Sequence, residues 1–371
     1  MNSISMNKSK MRLESSGSWF DRLAKKAVLA MLKKLQVGHL TLEDNGQTYQ
    51  FGESLGTARY VAHIQITHTS TYKDIFLNSS IGAGESYMKG GWTSPDIVAV
   101  IRLMVANLDL INKMDAKRPI WQRLGTKLLH KMNANSKQGS KANISAHYDL
   151  GNDFFSLFLD PTMMYSAAMY PSQEASLEQA SVNKLEQICR KLQLSEQDHL
   201  LEIGTGWQYD YAKQQVEREG LSDKITLLLE DYRDLKGQYD KLVSIEMIEA
   251  VGHEFYDSYF SQCSALLKPH GVMVIQAITI ADQRYDYARR SVDFIQRYIF
   301  PGGCLPSNQV IADKIAHKTD MQIIALEDIT EHYAKTLADW RSRFHAARRE
   351  VNDMGFDEIF CRMWDFYLAY C

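Results

Sequence analysis

The spacing of hydrophobic and polar positions changes along this chain, and each change marks an element. From Ser18 to Gln36 the stretch SWFDRLAKKAVLAMLKKLQ predicts a helix capped by Ser18. Trp19, Leu23, Ala27, Ala30 and Met31 would share one face, with Arg22, Lys25, Lys26, Lys33 and Lys34 on the other. Between His39 and about Ile81 the pattern shortens to alternating runs, HLTLEDNGQTYQFG and ARYVAHIQITH, which predict strands joined by a DNG turn. The segment SIGAGESYMKGGW, with glycines 82, 84, 90 and 91 around Tyr87 and Trp92, is expected to be a packed loop with aromatic anchors. A helix follows from Ser94 to about Leu110. Past the polar stretch NANSKQGSKAN, the strongest candidate for a domain boundary, buried-strand runs recur. These are HLLEIGTGW, KITLLLEDYRDL, YDKLVSIEMIEAVG and HGVMVIQAITI, separated by polar, helix-like connections. A strand ending in E-x-G-x-G is how a doubly wound α/β domain presents backbone to a nucleotide-like ligand, at the carboxyl ends of its strands.

Composition narrows the class. A chain of 371 residues, 45% hydrophobic and 23% charged, is long enough for a buried core and two domains. A net charge of -3 argues against a general nucleic-acid binder. Cys189, Cys263, Cys304, Cys361 and Cys371 have neither CxxC nor zinc spacing, so a reduced, cytosolic chain without a metal site is expected. No stretch approaches the ~20 apolar residues that span a bilayer, and the N-terminus lacks the apolar core of a signal peptide. One segment departs from the average charge: no acid occurs between Asp115 and Asp149. Lys117, Arg118, Arg123, Lys127, Lys131, Lys137 and Lys141 alternate there with Trp121, Leu124, Leu128 and Leu129. Such a segment suits an anionic phospholipid surface, at ~1 kcal/mol per basic residue, and a solvated linker helix explains it equally well.

Residues 147 to 170, HYDLGNDFFSLFLDPTMMYSAAMY, carry a more specific signal together with LEIGTGW, EDYRDL, VSIEMIEAVG, SVDFIQRYIFPGGCLPS, HYAKTLADWRSRF and FYLAYC. In these motifs, and from about residue 20 onward, the chain resembles the cyclopropane-fatty-acyl-phospholipid synthase family of S-adenosylmethionine (SAM)-dependent enzymes. The resemblance implies an α/β fold: a Rossmann-like class I SAM methyltransferase sheet with helical additions, preceded by a small β-rich (α+β) N-terminal domain. The expected organisation is a disordered tail (1–17), a lipid-binding-like α+β domain (18–115), a basic linker (116–145) and a methyltransferase domain (146–371). It further implies methyl transfer from SAM to the double bond of an unsaturated acyl chain on a phospholipid, giving a cyclopropane or methyl-branched chain. An alkene is a poor nucleophile and the intermediate is a carbocation, so the site needs low polarity, aromatic surfaces and a base. The enzyme would work in the cytoplasm, at the inner face of the membrane. A homodimer is one of the assemblies left open.

In the family the base is described as a bicarbonate ion held by a glutamate, a histidine, a tyrosine and cysteines. Carried over, the glutamate matches Glu249, the tyrosine Tyr333 and one cysteine Cys371, while Gln276 stands at the histidine position and Ala167 at the other cysteine. For SAM, Glu202, Gly204 and Gly206 match the first motif and Tyr165 and Ser166 the residues near the SAM carboxylate. Gln208 matches the ribose side, and Asp231 with Tyr232, ending the LLLED strand, the adenine side. Core packing for the tyrosines and a turn cap for Asp231 remain open as alternatives. Phe294, Tyr298, Phe300 and Tyr367 are expected along the acyl channel.

One departure concerns the fold itself. Trp207 runs directly into QYDYAKQQVEREGL, which resembles a later helix of the family, and about two dozen residues between these points are missing. A parallel crossover takes a dozen or more residues, so this junction supplies a helix but not a helix, strand and helix. The sheet is expected to lose this strand and, because the chain ends at Cys371, a final antiparallel strand, leaving edges and apolar surface unpaired. Two further functions therefore stay in view: a catalytically dead lipid-binding relative, and a methyltransferase of a soluble small molecule.

Overall fold

The computed structural model describes residues 19–116, 150–204 and 209–371, with the side chains of 113–116 excepted. The tail at 1–17, the Ser18 cap, the basic linker, Gly206, Trp207 and Gln208 therefore lie outside the described residues. The chain divides into two compact units, Met1–Lys117 and Arg118–Cys371.

The first unit begins with helix α1 (Trp19–Leu32), then strands β1 (His39–Asp44), β2 (Gln47–Gly52) and β3 (Val61–Ile66). Helix α2 (Ser70–Met88), the short strand β4 (Trp92–Thr93) and helices α3 (Ile97–Ala106) and α4 (Leu108–Ala116) complete it. The sheet order is β2-β1-β3-β4, with β1 antiparallel to β2 and parallel to β3. The β1–β2 hairpin turns on Asn45 and Gly46, both at positive φ (48° and 75°), as the DNG sequence requires. Two expectations change. The buried stripe of α1 is Ala24, Val28 and Leu32, while Trp19 and Leu23 are exposed, because Lys25 turns inward to the buried Asp44 (2.5 Å) beside the Tyr72 hydroxyl (2.9 Å). SIGAGESYM is helical rather than a loop, following a kink of α2 at Ser79, and Gly82 is needed there because a Cβ would meet the Asp74 carbonyl oxygen at 1.9 Å. Tyr87 and Trp92 do pack as aromatic anchors, with ring centroids 4.9 Å apart.

The second unit opens with helices α5 (Gly151–Ser156) and α6 (Leu177–Leu192), the latter started by a Ser176–Gln179 capping box. Strand β5 (Leu200–Ile203), helix α7 (Tyr209–Arg218), strand β6 (Tyr239–Ile245), helix α8 (Tyr256–Leu266) and strand β7 (Leu267–Gln276) follow. Helices α9 (Asp282–Ala288), α10 (Phe294–Tyr298), α11 (Asn308–Lys318), α12 (Thr330–Ala346), α13 (Arg348–Asp353) and α14 (Glu358–Tyr370) end the chain. The sheet is parallel, with the order β5-β6-β7. Leu242 on β6 faces a core that includes Tyr259, Phe260 and Cys263 of α8, and Val243 faces Ile188 and Leu192 of α6. The alternation of buried side chains along β6 thus lays helices on both faces of the sheet.

The strand expected in LLLED does not form. Residues 225–229 are irregular, with Ile225, Leu228 and Leu229 exposed, so Asp231 and Tyr232 end no strand. Helix α7, which follows the Trp207–Gln208 junction, buries none of its residues. A second apolar segment, at 321–329, is also irregular and exposes Ile323, Ile324 and Leu326. No strand among the described residues flanks β5 or β7 on its outer side. Among the described residues these apolar segments have no strand to pair with, and neither edge of the sheet is paired.

This surface predicts a solubility effect separable from stability. Leu229 is 70% and Ile324 84% exposed. The double substitution Leu229→Lys, Ile324→Lys is expected to lower light scattering on warming while moving unfolding stability by no more than ~0.5 kcal/mol per site. A large loss of stability would show that these segments are packed in solution.

Candidate active site

The carboxyl ends of the three parallel strands lie side by side and carry Glu202, Glu246 and Gln276. Glu246 follows β6 in a left-handed conformation (φ 46°), and its backbone N–H donates to the Gln276 carbonyl at 2.8 Å. A non-glycine residue held there costs of order 1–3 kcal/mol and recurs at functional sites. A three-residue turn then brings Glu249 back over the strand ends.

The segment from Asp160 to Tyr170 runs between these ends and α12. Ala168 N–H donates to Thr336 Oγ1 (3.1 Å), and the Tyr170 hydroxyl donates to Asp339 (2.8 Å). So anchored, Ala167 N–H points at Glu246 Oε1 (2.8 Å). Gln276 Nε2 donates to the same oxygen (2.8 Å) and to the Ala167 carbonyl (3.1 Å), which fixes which end of the amide faces Glu246.

Glu249 is the most perturbed carboxyl. Its Oε1 accepts from Ile278 N–H, and its buried Oε2 has no hydrogen-bond partner. Burial, reinforced by the charge of Glu246, pushes its pKa up to about 8. Tyr333 lies within electrostatic reach of Cys371, Glu246, Tyr165 and Glu249, and burial raises its pKa far above the usual phenol range. Cys371 is open to solvent at its surface, yet desolvation also raises its thiol pKa. Glu202 has the same character, being solvent-reached with a pKa raised by desolvation.

Beneath these acids is a lysine. Lys184 of α6 is 0% exposed, and its Nζ donates to Ser166 Oγ at 2.6 Å. Burial depresses its pKa, and the charges of Glu246, Asp160 and Glu202 oppose that depression. A buried cation among carboxylates is tolerable only because they compensate it. Above it, the Tyr165 hydroxyl pairs with that of Tyr367 (2.7 Å), and its ring packs on Phe155, Trp340 and Phe300, with centroids 5.1, 5.2 and 6.4 Å away.

The structure thus links Glu249, Tyr333, Cys371, Tyr165, Ser166, Glu202 and Gln276 in one network of hydrogen bonds and electrostatic interactions about Glu246 and Lys184. Gly204 ends β5 with open space around it, as a ligand-facing glycine requires. Asp231 stands apart: both its carboxylate oxygens take hydrogen bonds from Arg233, and it caps a short turn beginning at Tyr232. Among the acyl-channel candidates, Phe300 and Tyr367 adjoin Tyr165, whereas Phe294 packs on Tyr298, Phe366 and Tyr370. Two residues that sequence reasoning missed are central. Lys184 carried a signal, as a charged residue in the stripe Leu177, Ala180, Ser181, Lys184 and Ile188 that α6 buries. Glu246 had only its place three residues before Glu249.

A separate bicarbonate ion fits this donor set poorly. The Ala167 N–H and the Gln276 amide are both taken by Glu246, whose charge would repel a second anion. SAM fits the strand-end part of the site better, since Glu202 and Gly204 are exposed at the end of β5 while Ser166, held by Lys184, and Tyr165 are present beside the acids.

Comparison with known proteins agrees with this architecture. The profile of the family described as mycolic acid cyclopropane synthetase matches residues 135–209 and 208–371, in two pieces that overlap at Gln208 and Tyr209, next to the Trp207–Gln208 junction. Tuberculostearic acid methyltransferase of Mycobacterium tuberculosis is 37% identical over 320 residues, covering 78% of this chain and 74% of that protein. Since 78% of 371 residues is about 289, about 30 aligned positions face a gap in this chain. Cyclopropane-fatty-acyl-phospholipid synthase of Escherichia coli is 36% identical, covering 84% of this chain and 83% of that one. Among solved structures, mycolic acid cyclopropane synthase CmaA1 complexed with SAH and CTAB is 29% identical with a TM-score of 0.53, covering 62% of this chain and 91% of that one.

The raised pKa of Glu249 predicts a pH-dependent stability. Below its ordinary value of 4.5 the carboxyl is protonated in folded and unfolded chains alike; from there to about 8 only the folded chain keeps the proton. The stabilisation is therefore complete at the acid end and lost as pH rises through about 8. Glu249→Gln should remove this slope and gain stability over the parent toward the alkaline end, measured by denaturant unfolding across the window. Parallel pH profiles for parent and variant would refute the assignment.

Proposed function

Because the chain belongs to the mycolic acid cyclopropane synthetase family, we propose that it is a SAM-dependent methyltransferase acting on the double bond of unsaturated fatty acyl chains carried by phospholipids. The observation that carries this reading is the joining of an acid cluster to aromatic faces at the carboxyl ends of the parallel strands. When bound, SAM supplies an electrophilic methyl group; Glu202, Gly204, Ser166 and Tyr165 are the residues that would hold it. Lys184 holds the Ser166 hydroxyl in place, so that side of the site is organised before any ligand arrives.

The substrate alkene gives its π electrons to the methyl carbon, and positive charge develops on the neighbouring carbon. Tyr165, Phe300 and Tyr367 stabilise that charge through their ring faces, at ~0.5 to 2 kcal/mol each. The surrounding aromatic packing excludes water, which would otherwise capture the cation. Glu249, kept neutral by burial, leaves the region with fewer negative charges than carboxyls. Membrane contact is part of this proposal. In α1, Trp19, Leu23 and Lys26 are exposed, and so are Lys33 and Lys34 just after it, a composition suited to an anionic lipid surface. Among the described residues no helix is long and apolar enough to cross a membrane.

A second reading is favoured by one observation. Among the described residues the sheet has three strands, and the family profile matches in two pieces that meet at residues 208–209. In that reading the chain binds lipid but holds SAM weakly. Calorimetric titration with SAM of this chain, and of the same chain with a helix–strand segment inserted between Trp207 and Gln208, separates the two. We expect binding about tenfold tighter, ~1.4 kcal/mol, in the restored chain. We also expect it to convert unsaturated phospholipid vesicles into product heavier by one CH2. Equal micromolar binding by both would mean that the shortened sheet already forms the whole pocket. Absence of product from the restored chain would refute the substrate assignment.

A further inference from the structure

Three features converge on Glu246, and none of them concerns its neighbour Glu249. First, its Oε1 receives two donors at 2.8 Å, one from the Ala167 backbone and one from Gln276. Two N–H groups aimed at one point make an anion site, and here the chain fills that site with its own side chain. Second, the backbone is left-handed at Glu246, and hydrogen bonds with the end of β7 hold it so. Third, the fully buried Lys184 lies within electrostatic reach and favours a negative charge there.

We propose that the Glu246 carboxylate occupies the place an external anion such as bicarbonate would fill, and that it is the catalytic base of this site. The idea rests on the proposed methyl transfer. The C–S bond to the methyl breaks, its electron pair leaves with the thioether, and the alkene π pair forms the new C–C bond. A C–H bond then breaks: on the newly added methyl its electron pair bonds to the cationic carbon and closes the three-membered ring, and on the carbon adjacent to the cation its pair forms a new double bond. The proton passes to Glu246, which becomes a neutral acid and later releases it to water. No external base or oxidant is required.

The division of labour between the two carboxyls follows from their surroundings. Glu249 keeps its proton, having one buried oxygen without a partner and a like charge beside it. Burial raises the pKa of Glu246 above that of an exposed carboxyl, and Lys184, the Ala167 N–H and Gln276 oppose this by favouring the ionised form that receives their hydrogen bonds and charge. Ala167 and Gln276 stand where thiol and imidazole ligands of bicarbonate were expected, and both now serve Glu246.

The test uses the full chain and 13C-labelled bicarbonate observed by NMR. Glu246→Gly vacates the anion place at a backbone position that glycine adopts freely, and it should bind bicarbonate about tenfold more tightly than the parent. Difference infrared spectra should show a carboxylate band at neutral pH that Glu246→Gln removes and Glu249→Gln retains. Bicarbonate binding to the parent as tight as to Glu246→Gly, no binding to either, or loss of the band in Glu249→Gln would each overturn the proposal. SAM titration of the same samples separates the two ideas. Failure to bind SAM counts against the methyltransferase reading, while the bicarbonate and infrared results judge Glu246 by themselves.

Discussion

A parallel strand is stable only when a neighbour satisfies its backbone groups, and the second unit of this chain depends on where that condition holds. It holds for β5, β6 and β7, which pair in parallel, in unbroken register over Lys241–Ile245 of β6. It fails for residues 225–229, which stay irregular although Thr226, Leu227, Leu228 and Leu229 would suit a strand. Helix α7 shares the consequence: with no strand beyond β5 to pack on, none of its residues is buried. The missing crossover thus removes one strand and leaves a second apolar segment and a helix without a surface to cover. Each buried apolar side chain is worth about 1.5–3 kcal/mol, so this loss is large beside the 5–15 kcal/mol by which domains are stable.

The part of the sheet that survives is the part that bears the acids. Glu202, Glu246 and Gln276 all sit at the ends of paired strands, and Lys184 reaches them from α6, whose Ile188 and Leu192 pack on β6. The charge network is therefore built on well-packed elements, whereas the segment carrying Asp231 is not. Lys184 would be prohibitively costly alone in this core. With Ser166 as acceptor and three carboxylates nearby, it becomes a rigid post that positions the crevice wall.

Most of this architecture was legible in the sequence because period and turn chemistry are local properties. The DNG hairpin, the β5, β6 and β7 runs and the E-x-G end of β5 were all readable from a few consecutive residues. What was not legible depended on distant partners. Lys25 looks like a surface lysine until Asp44 and Tyr72 are folded beside it, and this contact rotates the buried stripe of α1 away from Trp19 and Leu23. The glycines at 82 and 84 suggested a loop, yet Gly82 serves the helix by admitting the Asp74 carbonyl. LLLED has strand composition, and only the missing neighbour keeps it from being one. In the site, Glu249, Tyr333 and Cys371 followed from family motifs, while Glu246 and Lys184 gained meaning only from their partners.

The two family departures at Ala167 and Gln276 look independent along the chain, being 109 positions apart. In the folded protein they meet at a single oxygen of Glu246. An alanine at 167 can offer only its backbone N–H, and a glutamine at 276 offers an amide N–H that stays neutral at any pH. Neither adds a titrating group, so both suit a site whose negative charge is supplied covalently rather than captured from solution. A cysteine or histidine at these positions would bring protons of its own to a place where Glu246 must be the group that changes charge. The substitutions and the extra glutamate thus make one chemical change, and the strained backbone at Glu246 is the conformational cost of placing a side chain where a free ion would otherwise stand.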